Sequence, residues 1–201
     1  SHAYLFIGTR GTGKTTCARI LAKALNCQSP VNGNPCCMCT VCLGIYDGSV
    51  LDVVEIDAAS NNGVAHVRQL RDEAVFSPVS VKKRVYIIDE VHMLSPPAFN
   101  ALLKILEEPP EHVLFILATT EPQSIPATIL SRCQRFDFHR INVDDIVSCV
   151  KSAVAKSGAS IDGEGLLVIA RAAEGGMRDA LSIADQCIAF CGNNVTAADI
   201  Y

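Results

Sequence analysis

The chain lacks any long uninterrupted apolar run. Its longest stretches, such as Val113 to Ala118, fall far short of the roughly 20 residues that a helix needs to cross a bilayer. A basic excess is also missing: 17 Lys and Arg stand against 21 Asp and Glu, a formal net charge of −4. No global positive field therefore draws the chain to nucleic acid, and any such contact must be local or come from partner subunits. The first residues have no signal-peptide layout, and no internal repeat or low-complexity tract occurs. These absences exclude a membrane-spanning helix and point to a cytoplasmic globular protein. At 201 residues, it is long enough for one large or two small domains around a real core.

Cysteine is abundant, with ten residues. Disulfide frameworks belong to small secreted domains, which does not match this composition. Cys27, Cys36, Cys39 and Cys42 instead form C-x8-C-x2-C-x2-C. Thiolates at this spacing can share one tetrahedral Zn²⁺, and four sulfur ligands leave no open position, so the site reads as structural. The loop between them, with Pro30, Gly33, Asn34 and Pro35, has no core of its own and needs such a staple. Cys37 breaks the spacing and reads as a bystander. The remaining cysteines, at 17, 133, 149, 187 and 191, are scattered and read as core fillers.

The strongest motif is Gly8-Thr9-Arg10-Gly11-Thr12-Gly13-Lys14-Thr15-Thr16, which contains G-x-x-x-x-G-K-[ST], the phosphate-binding loop of nucleoside triphosphatases. The apolar run Ala3–Ile7 in front of it reads as a buried strand. The stretch 14–26 behind it reads as a helix, with Ile20, Leu21, Ala24 and Leu25 apolar and Arg19 and Lys23 polar. Glycines 8, 11 and 13 let backbone N–H groups wrap a phosphate, and the helix start adds its unpaired N–H groups and positive dipole end. Lys14 is expected to reach the β- and γ-phosphates, and Thr15 to place its hydroxyl on Mg²⁺. Further strands are expected at Val53–Ile56, Val85–Ile88 and Val113–Ala118, with helices over roughly 63–76 and 96–108. This alternation implies a parallel sheet flanked by helices. Ser95 is expected to cap the helix at 96, Pro96 and Pro97 suit its first turn, and Pro109 stops it.

The run Val85-Tyr86-Ile87-Ile88-Asp89-Glu90 delivers two carboxylates to the carboxyl edge of that sheet, where ligands of open α/β folds bind. Asp89 is expected to hold Mg²⁺ opposite Thr15, and Glu90 to orient and deprotonate the attacking water. His92, next in the run, reads as structural. The strand at 113–118 ends in Thr119-Thr120, so a hydroxyl there stands beside the γ-phosphate or simply suits a strand. Arg132, after a short helix ending near Leu130, reads equally as a surface charge or a functional cation. Arg178, opening a helix after Gly175-Gly176, either reaches the phosphates or pairs locally. Lys82-Lys83-Arg84, the one dense basic run, reads as a solvated loop at least as readily as a phosphate contact. From Asn142 onward only helices are expected, near 143–157, 162–173, 177–191 and from Thr196. The domains are thus 1–140, an α/β nucleotide-binding domain with a zinc knuckle at 27–42, and 141–201, an all-helical lid.

Taken together, these runs resemble the AAA+ ATPases and, within them, the gamma/tau clamp-loader family of bacterial DNA polymerase III. The loop at 8–16 and the four-cysteine insertion carry the resemblance. So do Glu-Ile-Asp-Ala-Ala-Ser at 55–60, Ile-Asp-Glu-Val-His-Met-Leu at 88–94 and Phe-Asn-Ala-Leu-Leu-Lys at 99–104. Leu-Glu-Glu-Pro-Pro-Glu-His at 106–112, Leu-Ala-Thr-Thr-Glu-Pro at 117–122, Ile-Leu-Ser-Arg-Cys at 129–133 and Gly-Gly-Met-Arg-Asp-Ala-Leu-Ser at 175–182 complete it. The resemblance implies ATP, magnesium and zinc as cofactors. It makes Thr120 the sensor of γ-phosphate, with Thr119 the adjacent alternative. It makes Arg132 an arginine finger acting in trans, and Arg178 a second sensor acting in cis from the lid. The implied activity is ATP hydrolysis that loads a sliding clamp on primed DNA. The implied partners are delta, delta-prime and further gamma/tau copies, the clamp, and DNA within the complex. The family's segment before the first strand and its C-terminal collar are expected to be absent here. Two other functions compete: a nucleotide kinase with a zinc-stapled lid, and a module that binds ATP without hydrolysing it.

Overall fold

The computed structural model describes residues 1–200; Tyr201, where the fourth lid helix was expected to run on, lies outside them. The chain divides into two compact units, one comprising Ser1–Ile7 with Lys14–Asp137, the other Gly8–Gly13 with Phe138–Tyr201. The first is an α/β layer structure. Strands β1 (Ala3–Gly8), β2 (Val53–Asp57), β3 (Arg84–Asp89), β4 (Val113–Thr119) and β5 (Gln134–Phe138) form one sheet in the order β2-β3-β4-β1-β5. The pairs β1–β4, β3–β4 and β2–β3 are parallel. The expected α/β class is therefore observed. β3 and β4 are apolar runs without alternation because both of their faces are covered: every residue of β4 is buried.

Helix α1 (Lys14–Asn26) follows the glycine loop. Its buried stripe is Lys14, Ala18, Ala22 and Asn26, an i, i+4 row. Of the larger apolar residues, Ile20 and Leu25 are exposed, since small alanines allow close packing that larger chains would obstruct. Helix α2 (Thr40–Asp47) closes the cysteine segment, and α3 (Val64–Ala74) and α4 (Pro96–Glu107) pack on each other and on the sheet. Ser95 stands at the N-cap of α4 with extended backbone, but its side chain makes no capping bond, contrary to expectation. Pro96 and Pro97 have no N–H to satisfy, so much of the need for a cap is gone. The short helix α5 (Ala127–Leu130) leads into β5.

In the second unit, α6 (Val143–Lys156), α7 (Gly163–Ala172), α8 (Met177–Cys191) and α9 (Ala197–Ile200) surround a separate core built on Ile146, Val150, Leu166, Ile169 and Ala180. Asn142 and Asp162 cap α6 and α7 by accepting N–H bonds from Asp145 and Gly165, each fixing where a helix starts. One departure from an all-helical unit occurs: β6 (Ser160–Ile161) and β7 (Asn194–Val195) pair in parallel. Two residues per strand carry no readable period, so sequence pattern could not reveal them. No helix among the described residues is long and apolar enough to cross a membrane.

Candidate functional site

The carboxyl ends of β3 and β4 lie side by side, with Ile88 paired to Leu117. Asp89 ends β3. Its Oδ2 accepts a 2.7 Å hydrogen bond from the Thr15 hydroxyl, across 74 residues of sequence. Two hard oxygen ligands are thus already adjacent, a donor set that suits Mg²⁺. Lys14, the first residue of α1, is buried. Glu90 adopts φ 48° and ψ 47°, a left-handed conformation that non-glycine residues seldom take and that marks functional turns. The turn carries its carboxylate toward β4, where Oε2 accepts from the Thr120 hydroxyl at 3.0 Å and from the Thr120 N–H at 3.3 Å. Of the two threonines, Thr119 is fully buried, and its hydroxyl oxygen accepts the Glu121 N–H and lies 3.0 Å from His92 Nδ1. Thr120 is thus the threonine that reaches Glu90.

Within the second unit, Gly11 and Gly13 have φ +77° and +92°. Both values lie in the region that favours glycine. The Gly11 carbonyl accepts the Met177 N–H at 3.0 Å, which brings the loop against the residue preceding Arg178. The Thr12 hydroxyl donates to the Thr9 carbonyl at 2.8 Å. Gly8 has no room for a side chain: a Cβ would lie 2.5 Å from the Phe138 carbonyl oxygen. Arg178 lines a groove between α6 and α8 beside Ala153, Ser157 and Ser182.

Arg132 is not part of the Thr15–Asp89–Glu90 group. Its guanidinium pairs with Glu107 Oε1 at 2.8 Å and donates to the Thr128 carbonyl at 2.8 Å. The basic run before β3 is likewise engaged. Lys82 donates to the Cys27 carbonyl, Lys83 to the Glu111 carbonyl, and Arg84 to Asp52 and the Glu73 carbonyl. These cations cap backbone carbonyls and one carboxylate, so the run is tied into the fold rather than forming the solvated loop expected, and Arg84 is the first residue of β3.

The Sγ atoms of Cys27, Cys36, Cys39 and Cys42 lie within 4.8 Å of one another. Tetrahedral Zn–S bonds of about 2.3 Å need separations of roughly 3.8 Å, so little movement closes the site. The backbone is already arranged for thiolates: the N–H groups of Cys36, Cys39 and Cys42 point at the sulfurs of Cys27, Cys36 and Cys39, at 3.3, 3.3 and 3.4 Å. The Gln28 and then the Cys42 N–H pull the Cys39 thiol down to about 6, whereas burial pushes Cys42 up to about 12. The residues fit the metal. Cys37 points away, exposed, with its Sγ against the Pro35 carbonyl. Of the scattered cysteines, Cys133 and Cys187 pack against the two cores, but Cys17, Cys149 and Cys191 are exposed and fill none.

Sequence reasoning missed His92 and Glu107 as neighbours of functional groups. The Asp-Glu-x-His spacing was visible for His92; nothing in the sequence placed Glu107 beside Arg132.

Comparison with known proteins agrees with this architecture. The family model described as DNA polymerase III, delta subunit, matches residues 1–142, and the model of the DNA polymerase III clamp loader subunit ATPase lid domain matches 145–193. DNA polymerase III subunit tau of Bacillus subtilis is 58% identical over 199 residues, covering 99% of this chain and 35% of that protein. The tau subunit of Escherichia coli is 50% identical over 188 residues, 94% of this chain and 29% of the other. The chain thus spans about a third of these relatives. The Thermotoga maritima RuvB Holliday junction branch migration motor superposes with a TM-score of 0.67 at 15% identity, covering 98% of this chain and 59% of that one. This likeness bears on the fold alone. With one model over most of its length and the second over the helical unit, the chain belongs to the DNA polymerase III clamp-loader family.

Proposed function

We propose that this chain is the ATP-hydrolysing core of a clamp-loader motor subunit, in which ATP binding and turnover load a sliding clamp on primed DNA. The observation that carries the reading is the 2.7 Å contact between Thr15 and Asp89, made where the phosphate loop runs into α1. Lys14 and the N–H groups of residues 8–16 hold the triphosphate. Thr15 and Asp89 hold magnesium, which when bound neutralises phosphate charge. Glu90 takes the proton of the attacking water, and Thr120, bonded to its carboxylate, senses the γ-phosphate. Arg178 acts in cis, since its neighbour Met177 already bonds the loop. Arg132 acts in trans on ATP held by an adjacent subunit, where such fingers contribute about 10³–10⁵ in rate. The partners are delta, delta-prime, further copies of this subunit, the clamp and primed DNA, in the cytoplasm. Zinc on the four cysteines is structural.

The test is ATP turnover by the full-length protein with its partner subunits, clamp and primed DNA. Glu90→Gln is expected to lower kcat by about 10²–10⁴-fold while ATP still binds. Unchanged turnover by this variant would overturn the hydrolytic reading.

A further inference from the structure

We infer that His92 is a positioning residue for the Glu90 carboxylate; the inference rests on the hydrolytic reading above. His92 sits in a single 3-10 turn, Val91–Met93, directly after Glu90, and its side chain is only 10% exposed. Nδ1 lies 3.0 Å from Thr119 Oγ1 and 3.3 Å from Glu90 Oε2. On the far side of the ring, Nε2 is 4.0 Å from Glu121 Oε1. The ring is therefore wedged between the turn that carries Glu90 and the tip of β4.

The proton on Nδ1 follows from its surroundings. A bare nitrogen lone pair facing a carboxylate oxygen at 3.3 Å would set two acceptors against each other. The Thr119 oxygen already accepts the Glu121 N–H, but retains capacity for a second donor. A hydrogen on Nδ1 meets both oxygens at once. Thr120 approaches the same Oε2 through its N–H and its hydroxyl, so three donors converge on one oxygen. None of these contacts falls on Oε1. One carboxylate oxygen is thus pinned to the strand tips while the other remains to receive a proton from water. A general base works only when it is held in the productive geometry, and misplacement by about 1 Å can cost roughly a hundredfold. Glu90 opens the turn from a left-handed backbone conformation. His92 holds its carboxylate from within that turn, and Thr120 holds it from the tip of β4.

The test uses the full-length protein with partner subunits, clamp and primed DNA. His92→Phe keeps the ring volume but removes the donor. It is expected to lower kcat by about 10- to 100-fold, with KM for ATP and the affinity for a fluorescent ADP within about twofold. His92→Asn returns an N–H close to the position of Nδ1 and is expected to restore most of the loss, which a purely structural role for the ring would not predict. If His92→Phe does not fold, Thr119→Val removes the ring's other partner in an isosteric side chain and is expected to lower kcat in the same way. Wild-type kcat in His92→Phe or, in its place, Thr119→Val overturns the inference. So does an Asn variant no faster than Phe. Glu90→Gln is run in parallel. If it is inactive while His92→Phe is unimpaired, positioning by His92 alone fails; if it is fully active, the hydrolytic reading fails and this inference falls with it.

Discussion

The strand-tip site and the cysteine knuckle each gather donors that suit a cation, and they do so by opposite means. Thr15 and Asp89 are 74 residues apart and meet because a buried parallel sheet fixes where β3 ends. Their geometry is a by-product of a core containing Tyr86, Ile88, Phe115 and Leu117. The four cysteines lie within sixteen residues of one another, in a segment whose Val31 and Met38 are exposed. That segment has little apolar burial to hold it, and its own N–H groups are spent on its sulfurs. The difference teaches that the first arrangement is set by the fold, whereas the second is expected to persist only with the proposed metal.

The largest expected effect comes from removing that metal. Structural zinc contributes about 10–16 kcal/mol of apparent binding energy. A strong chelator, or Cys39→Ser, should make residues 27–42 open to proteolysis and rapid hydrogen exchange. The sheet amides of β3 and β4 should remain protected. Loss of protection throughout the α/β unit would break the comparison, because the knuckle would then be supporting the core.

A smaller effect is expected at the opposite end of β3. Asp52 is buried and accepts from Arg84 through Nε and Nη2, and from the N–H groups of Val79 and Ser80. Burial pushes its carboxyl up, but these donors outweigh it and hold the carboxyl below its ordinary value. Asp52→Ala strips Arg84 of its carboxylate and should cost about 3 kcal/mol, seen as a lowered melting temperature. Because the folded-state value is depressed, this stabilisation is complete above the unfolded value near 3.9 and is lost as pH falls through the folded one. The gap between wild type and variant should therefore be constant above about pH 5 and narrow below about pH 4.

The smallest effect on stability is expected at Glu107. Its pair with Arg132 is half exposed, and such pairs contribute about 0–1 kcal/mol. Glu107→Gln should leave the melting temperature nearly unchanged. In the assembled complex the same substitution should alter turnover if, as proposed, the freed guanidinium acts in trans. A change in melting with none in turnover would assign the pair to folding alone.

Much of this was legible in the sequence, for physical reasons that also explain the gaps. β1, β3 and β4 announce themselves because both their faces are buried and their apolar runs are unbroken. β5 does not: Gln134, Arg135, Phe136 and Asp137 are exposed, so no burial shaped its composition. α2 was hidden because the metal spacing of Cys39 and Cys42 dominates its first turn, where the Cys39 sulfur also accepts the Cys42 N–H. The inward face of α1 is not legible in the sequence because its alanines are small and its outward face carries Ile20 and Leu25. At the site, the residue types and spacing fixed which groups gather, but they could not show that the carboxylate of Glu90 faces Thr120 and His92. That depends on a single left-handed residue.

Helix α1 has the phosphate loop at its beginning and Cys27 immediately after its end. At 13 residues it is a rod of about 20 Å. Its last side chain, Asn26, grips both the N–H and the carbonyl of Lys83, just ahead of the strand that carries Asp89. Rod and strand are therefore tied at their far ends by an amide and at their near ends by the Thr15–Asp89 bond. They form the two sides of one ladder, and the knuckle is fastened to its last rung.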